Sequence, residues 1–256
     1  MTKYNPEEYW TEVGKRIELR EKGENVIAGD DEPYYQYKRE KFLQLLNQVN
    51  FEGKSILEIG CGPGGNLLEI HKFKPKELVG VDISSQMVQL AKNKVPSTVE
   101  VIKTNGTDLP FESNSFDLVY TATVLQHNTD ELMLKKLMKE LCRVSAVHVY
   151  LFERIESEIK GDKFNYGRPI EYYEAIMEDN GFKLVSTAFI NIRVSYYLSG
   201  IIRKVLNPKT RQEGEPLNKI SILLQNILLP FTKLYDPLIN SKKDLARLEF
   251  RRISLE

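Results

Sequence analysis

The stretch Ser55-Ile-Leu-Glu-Ile-Gly-Cys-Gly-Pro-Gly-Gly-Asn66 constrains this chain more than any other. An apolar run enters a turn containing four glycines, and a helical pattern follows. Glycine reaches positive φ and lets a ligand approach the backbone closely, and four of them are costly unless something occupies the space they leave. A buried strand, a ligand-bearing turn and a helix are therefore predicted here. Gly60, Gly62 and Gly65 match the dinucleotide fingerprint GxGxxG, while Gly60, Gly62 and Gly64 match GxGxG. The flanking residues separate the two. Glu58 directs an anion into the turn, which repels a pyrophosphate and suits a ligand bearing an ammonium or sulfonium group. Pro63 removes a backbone donor from the turn. The absence of GK[ST] excludes a Walker phosphate loop.

From Ser55 onward the pattern alternates. Strands are predicted at 55–59, 77–81, 98–103, 116–121, 144–152 and 182–192, with helices at 65–73, 84–94, 131–141 and 170–180 between them. Short β-rich runs separated by helix-length segments predict an α/β fold with a doubly wound, mostly parallel sheet. Asp82 and Ser84 fall where the second strand ends and a helix begins, so Asp82 reads either as an N-cap or as the acidic residue that binds a ribose diol. Before the core, Pro6 opens one helix that ends near Gly23. Asp30, Asp31 and Glu32 precede Pro33, which opens a second helix reaching about Val49. After it, residues 194–243 hold two apolar helical pieces, and Ala246–Arg252 reads as a last strand. The resulting division is an N-terminal helical segment over residues 1–50, the α/β core over 51–193, a helical insertion over 194–245 and a final strand within 246–256.

Composition narrows the partners. The chain has 36 Lys+Arg and 36 Asp+Glu, so it lacks the basic field that dominates phosphate-backbone binding, and nucleic acid is disfavoured as the main partner. Cys61 and Cys142 form no CxxC and have no paired histidine, so neither a zinc site nor a disulfide framework is expected and a reducing, cytoplasmic setting is. No apolar signal segment opens the sequence. The stretch Ile220–Phe231 is broken by Ser221, Gln225 and Asn226 and is shorter than the roughly 18–20 apolar residues of a membrane span. The charge is nonetheless uneven: from Val194 to Glu256 there are eleven Lys/Arg against six Asp/Glu, a net of +5.

Four blocks together resemble the class I S-adenosylmethionine-dependent methyltransferases, in particular the small-molecule branch of the methyltransferase type 11 kind. LEIGCGPGGN resembles the first family motif, VGVDIS the second, and NGTDLPFESNSFDLVYTATVLQHNTDE the third and fourth. Glu140-Leu-Cys-Arg-Val144 resembles the run into the fifth strand. The resemblance implies a Rossmann-like sheet of seven strands, six parallel and one antiparallel, with S-adenosyl-L-methionine as cofactor. By position, Gly60, Cys61 and Gly62 would lie beneath the methionine part of the cofactor, with Glu58 near its amino group. Asp82 would bind the ribose hydroxyls, and Ile83 and Met87 would lie against the adenine. Asn105, with Gly106 and Thr107, would read the adenine edge, although the family more often has Asp where Asn105 stands. Thr121 and Leu125 would lie beside the methionine chain.

Methyl transfer needs an aligned acceptor, exclusion of water and, for a hydroxyl acceptor, a base. His127 falls in the loop after the fourth strand, which in the family faces the acceptor. It is the candidate catalytic residue, with loop packing as the alternative. His71 and His148 read as structural. Glu153 and Arg154 are either pocket residues or a surface ion pair. Trp10, Tyr34, Tyr35 and Tyr37 are either a lid over the cofactor or helix-packing aromatics.

An insertion before the last strand resembles those of relatives acting on saccharide or lipid-linked acceptors, which makes O-methylation of such a small molecule the expected activity. If residues 194–243 pack on their own domain, Ile220, Leu223, Leu224 and Ile227 should be buried. If they form a homodimer or a peripheral membrane surface, those residues should be exposed beside Arg203, Lys204, Lys209, Arg211, Lys219, Lys233, Lys242 and Lys243; a lid over the acceptor is the third reading of the segment. Two other functions use the same glycine turn: an NAD(P)-dependent oxidoreductase, and a cofactor-binding interaction protein without catalysis.

Overall fold

The computed structural model describes residues 4–19 and 32–253. Gly23, Asp30 and Asp31, which bound the first two predicted helices, lie outside the described residues. Helix α1 (Pro6–Glu18) starts where Asn5 accepts hydrogen bonds from the Glu7 and Glu8 amides, and α2 (Pro33–Leu46) starts at its proline. The core follows as β1 (Ser55–Ile59), α3 (Gly65–His71), β2 (Glu77–Asp82), α4 (Ser85–Lys94), β3 (Glu100–Lys103), β4 (Phe116–Ala122), α5 (Glu131–Val144) and β5 (Ser145–Ile155). A small hairpin, β6 (Lys160–Asp162) and β7 (Asn165–Gly167), precedes α6 (Ile170–Asp179) and β8 (Phe182–Phe189). Two helices, α7 (Arg193–Leu206) and α8 (Lys219–Tyr235), separate β8 from β9 (Asp244–Arg252).

The seven strands run in the order β3-β2-β1-β4-β5-β9-β8, and only β9 is antiparallel to its neighbours. This is a doubly wound α/β sheet whose order reverses between β1 and β4, the point where the carboxyl ends of such sheets open a crevice. All five residues of β1 are buried, as a central parallel strand covered on both faces requires. One face carries Tyr34, Phe42, Leu46, Phe51, Leu67 and Ile70 against Tyr120 and Phe152. The other carries Leu134, Leu137, Leu141 and Tyr173 against Val119, Leu151 and Phe250.

Boundaries shift where tertiary contacts decide them. Helix α5 runs directly into β5 without a loop, so Val144 belongs to the helix. Strand β5 extends to Ile155 because β9 pairs with it as far as Asp244, two residues before the predicted start of the last strand. Residues 190–192 leave the sheet, and the 160–167 hairpin carries no alternation long enough to announce it.

The insertion corrects the expectation of a self-packed apolar face. On α8 the buried side chains are Ser221, Gln225, Leu229 and Thr232, whereas Ile220 is 59% exposed, Leu223 58% and Ile227 51%, with Leu224 half-buried. The inward side is polar and hydrogen-bonded. Asp236 accepts from the Val194 and Ser195 amides at the start of α7, the Ser195 and Thr232 hydroxyls lie 2.7 Å apart, and Gln225 Oε1 accepts from the Tyr34 amide. Those contacts fix the orientation of the helix pair, and the apolar stripe is left outside.

Candidate active site

At the carboxyl end of β1 the backbone turns through Gly60 (φ +71°) and Gly62 (φ +52°). A Cβ on Gly60 would sit 2.3 Å from Val124 Cγ2, so the turn can pass the β4 loop only as glycine, whereas one on Gly62 would meet open space. Glu58 lies fully buried below this turn. It accepts a hydrogen bond of 2.8 Å from the Asn66 side-chain amide, and Asn66 Oδ1 in turn receives the Arg39 guanidinium. The second oxygen of Glu58 has no partner among the described residues. Burial pushes the Glu58 carboxyl up to about 8.

Asp82 ends β2 beside the same turn. Its carboxylate accepts from the Gly62 amide at 2.9 Å and the Ser84 amide at 2.8 Å, while Ser84 caps α4 through the Met87 amide. Burial raises Asp82 to about 6 against those amide hydrogen bonds. The cap of α4 is thus Ser84 and not Asp82, whose carboxylate faces the glycine turn. Asp82 joins Gly60, Cys61, Gly62, Ile83, Met87 and Gly106 in lining one cleft of about 980 Å³. Ile83 packs on Gly106, and Met87 lies with Val13 and Ile17 of α1.

The remaining predicted contacts stand back from the cleft. Asn105 turns its carbonyl oxygen to the Thr107 and Asp108 amides, so its acceptor is spent within its own loop and Thr107 lies behind it. Thr121 and Leu125 are fully buried and do not reach the cleft wall. They belong to a hub around Glu153, which accepts from the Thr121 hydroxyl at 2.8 Å and from the Val124, Leu125 and Gln126 amides at 3.0–3.1 Å. Glu153 is therefore neither a pocket residue nor half of a surface ion pair. It shapes the loop that presents Thr123, Val124, Gln126 and His127 to the cleft. Arg154 does line the cleft, paired with Glu156 at 2.9 Å and Asn165 at 3.0 Å.

His127 lies on that wall in a defined tautomer. The Phe164 carbonyl, 3.0 Å from Nδ1, can only accept, so Nδ1 carries the proton. Nε2 then accepts a hydrogen bond of 3.1 Å from the Gln126 side-chain amide. Burial holds the imidazole below its usual pKa, so it is neutral at pH 7. Trp10 meets the ring edge-on at 4.9 Å. His71 ends α3 and His148 lies within β5, away from the cleft.

Above the turn, α1 contributes Pro6 and Trp10, and α2 contributes Tyr34, Tyr35, Lys38 and Arg39. Tyr34 and Tyr37 are buried against the body, so of the four predicted lid aromatics Tyr37 alone is purely a packing residue. The far wall comes from the insertion: Arg193, Tyr196, Tyr197, Ile201, Lys204 and Arg211. Sequence reasoning missed Asn66 and Arg39, and named no individual residue of this wall as lining the cleft. The asparagine closing the glycine motif was the one visible signal. The others depend on which helix faces the cleft.

Residues 56–147 match the family model described as a methyltransferase domain. The aligned sterol 24-C-methyltransferase of Pneumocystis carinii is 26% identical over 196 residues, 66% of this chain and 51% of that enzyme. A demethylmenaquinone methyltransferase from Bacillus licheniformis is 31% identical over 157 residues, 59% of this chain and 64% of that one. The chain thus spans between about half and two thirds of the length of these curated relatives. Among solved structures, magnesium protoporphyrin IX methyltransferase from Synechocystis PCC 6803 with bound SAH, S-adenosylhomocysteine, superposes with a TM-score of 0.59 at 16% identity, covering 96% of this chain and 97% of that one. The core of the chain, residues 56–147, is a methyltransferase domain of the S-adenosylmethionine-dependent kind.

The cleft fits this family's cofactor on its own chemistry. An ammonium group would supply the missing partner of the buried Glu58 oxygen, and open space above Gly62 leaves room for a chain to pass. Asp82 keeps lone pairs for a diol beyond the two amides it already accepts. A volume of about 980 Å³ is at the upper end for small-molecule sites, enough for a cofactor and a second molecule together.

Proposed function

We propose that this methyltransferase O-methylates an amphiphilic small molecule, a saccharide or lipid-linked acceptor, with His127 as general base. The observation that carries the reading is the His127 tautomer: Nδ1–H is pinned by the Phe164 carbonyl, which leaves Nε2 unprotonated, held by the amide of Gln126, a second cleft residue. A hydroxyl that displaces the Gln126 amide could donate to that lone pair, and a neutral imidazole takes up the proton as the oxygen becomes nucleophilic. S-adenosylmethionine, when bound, supplies an electrophilic methyl group. Glu58, Gly60, Gly62, Asp82, Ile83, Met87 and Gly106 would hold it, with Cys61 filling the space beneath the turn. Asn105, Thr107, Thr121 and Leu125 would act by setting the loops around it.

The chain's own residues align the acceptor and keep water out. Trp10 and Pro6 cover the cleft from one side, and Tyr9 donates to Glu213 across to the insertion at 2.5 Å, tying lid to far wall. Tyr196, Tyr197 and Ile201 offer apolar surface, and Arg193 and Lys204 offer charge to a polar or anionic head. Names of the sequence relatives, a sterol and a demethylmenaquinone methyltransferase, support an apolar acceptor.

The test is incubation of the protein with a labelled methyl donor and a cell extract, followed by solvent partition and identification of the labelled product. Label on a lipid or glycolipid oxygen supports the reading. Label on nitrogen, carbon, protein or RNA overturns it.

A further inference from the structure

We propose that the outer face of α7 and α8 is a docking surface for an anionic membrane. On α8, Ile220, Leu223, Ile227, Phe231 and Leu234 recur at three- and four-residue spacing, and all are more than half exposed. Leu238 at 77% prolongs the stripe, and on α7 Tyr197, Ile201 and Val205 are exposed likewise. A helix that turns serine, glutamine and threonine inward and this stripe outward is the reverse of a helix completed by its own domain.

Charge identifies the occupant. Neither α7 nor α8 contains an acidic residue, while Arg193, Lys204 and Lys219 belong to the two helices and Lys209 stands exposed between them; Lys233 pairs with Glu40 of α2 at 3.8 Å and lies over the Tyr37 ring. Glu213 and Glu215 of the connecting segment keep their charge, and residues 193–235 still carry seven Lys/Arg against these two acids. An apolar stripe bordered by cations complements anionic headgroups over an acyl layer. A second copy of the chain would instead bring its own cations to the same border. Among the described residues no helix is long and apolar enough to cross a membrane, so the contact is peripheral. Tyr196, Tyr197 and Ile201 also line the cleft, so an acceptor carried in the bilayer would enter beside the docked face.

The experiment is co-sedimentation of the full chain with vesicles of phosphatidylcholine alone or with 30% phosphatidylserine, at low and high salt, beside light scattering for oligomeric state. Binding to anionic vesicles is expected, weakened by salt, with about a fivefold loss for each of Lys209→Glu and Lys219→Glu. Leu223→Ser with Ile227→Ser should abolish it while the melting temperature and the thermal shift with S-adenosylmethionine stay unchanged, since both positions are outside the core and the cleft. No binding to anionic vesicles at low salt, binding indifferent to these substitutions, or a dimer that the serine pair dissociates would each overturn the proposal.

Discussion

Asn66 donates to Glu58 across eight residues of chain, holding a buried carboxylate beneath the glycine turn with one oxygen still unpartnered. The carboxyl rests at about 8 because burial penalises its charge more than the Asn66 amide, the nearby Tyr120 hydroxyl and the Arg39 guanidinium relieve it. An ammonium group placed there would reverse the balance.

Binding of S-adenosylmethionine at pH 7 should therefore release close to one proton, and affinity should rise with pH up to about 8. Without ligand, the folded state holds a proton on Glu58 between its ordinary 4.5 and about 8, so stability falls as pH rises through that window. Asp82 contributes the same sign between 3.8 and about 6. Calorimetry in buffers of different ionisation enthalpy measures the proton count. Glu58→Gln should abolish the release and weaken binding about ten- to a hundredfold, the worth of a charge-assisted bond of about 1.5–3 kcal/mol. Zero protons released by the natural sequence would place the ammonium elsewhere.

Asp82→Ala removes the acceptor for the Gly62 and Ser84 amides as well as the expected diol partner. Cofactor affinity should drop by about 1.5–3 kcal/mol for each charge-assisted bond lost. An unchanged Kd by calorimetry would move the ribose away from β2.

His127→Ala should lower kcat while the cofactor Kd stays within about twofold, because the proposed role of His127 is toward the acceptor. With the natural residue, activity should rise with pH and level off below the ordinary imidazole value of 6.5, since burial lowers the pKa and the neutral form is the base. A pH-rate profile measures this. A plateau that begins only above pH 7, or unchanged turnover in the alanine variant, would reduce His127 to a packing residue.

Glu153→Ala would strand the Val124, Leu125 and Gln126 amides in a dry site, costing about 1–3 kcal/mol for each buried donor left unpaired. Urea denaturation should register the loss. Because Val124 lies against Gly60, cofactor affinity should fall along with it. A folded variant with wild-type stability would mean that the loop holds its shape without the carboxylate.

The glycine turn, the acid at the end of β2 and the strand–helix alternation are local features, so the sequence by itself determined the fold class, the first crossover and the gathering of Gly60, Gly62 and Asp82 at one cleft. β1 was legible to the residue, since a short, mostly apolar run bounded by Lys54 and Gly60 and followed by the glycine turn admits few other structures. What needed the tertiary structure were the choices between equally local options. Glu153 reads the same in sequence whether it faces solvent or gathers four donors, and only the packing of β4 beside β5 brings those donors to it. Asn105 carries an acceptor in either case, but the turn through Thr107 and Asp108 spends it. The periodicity of α8 shows that an apolar stripe exists without saying which way it points. That direction follows from polar contacts with α2 and α7, at positions far apart in the chain, because the hydrophobic effect favours burial of the stripe but does not specify against what.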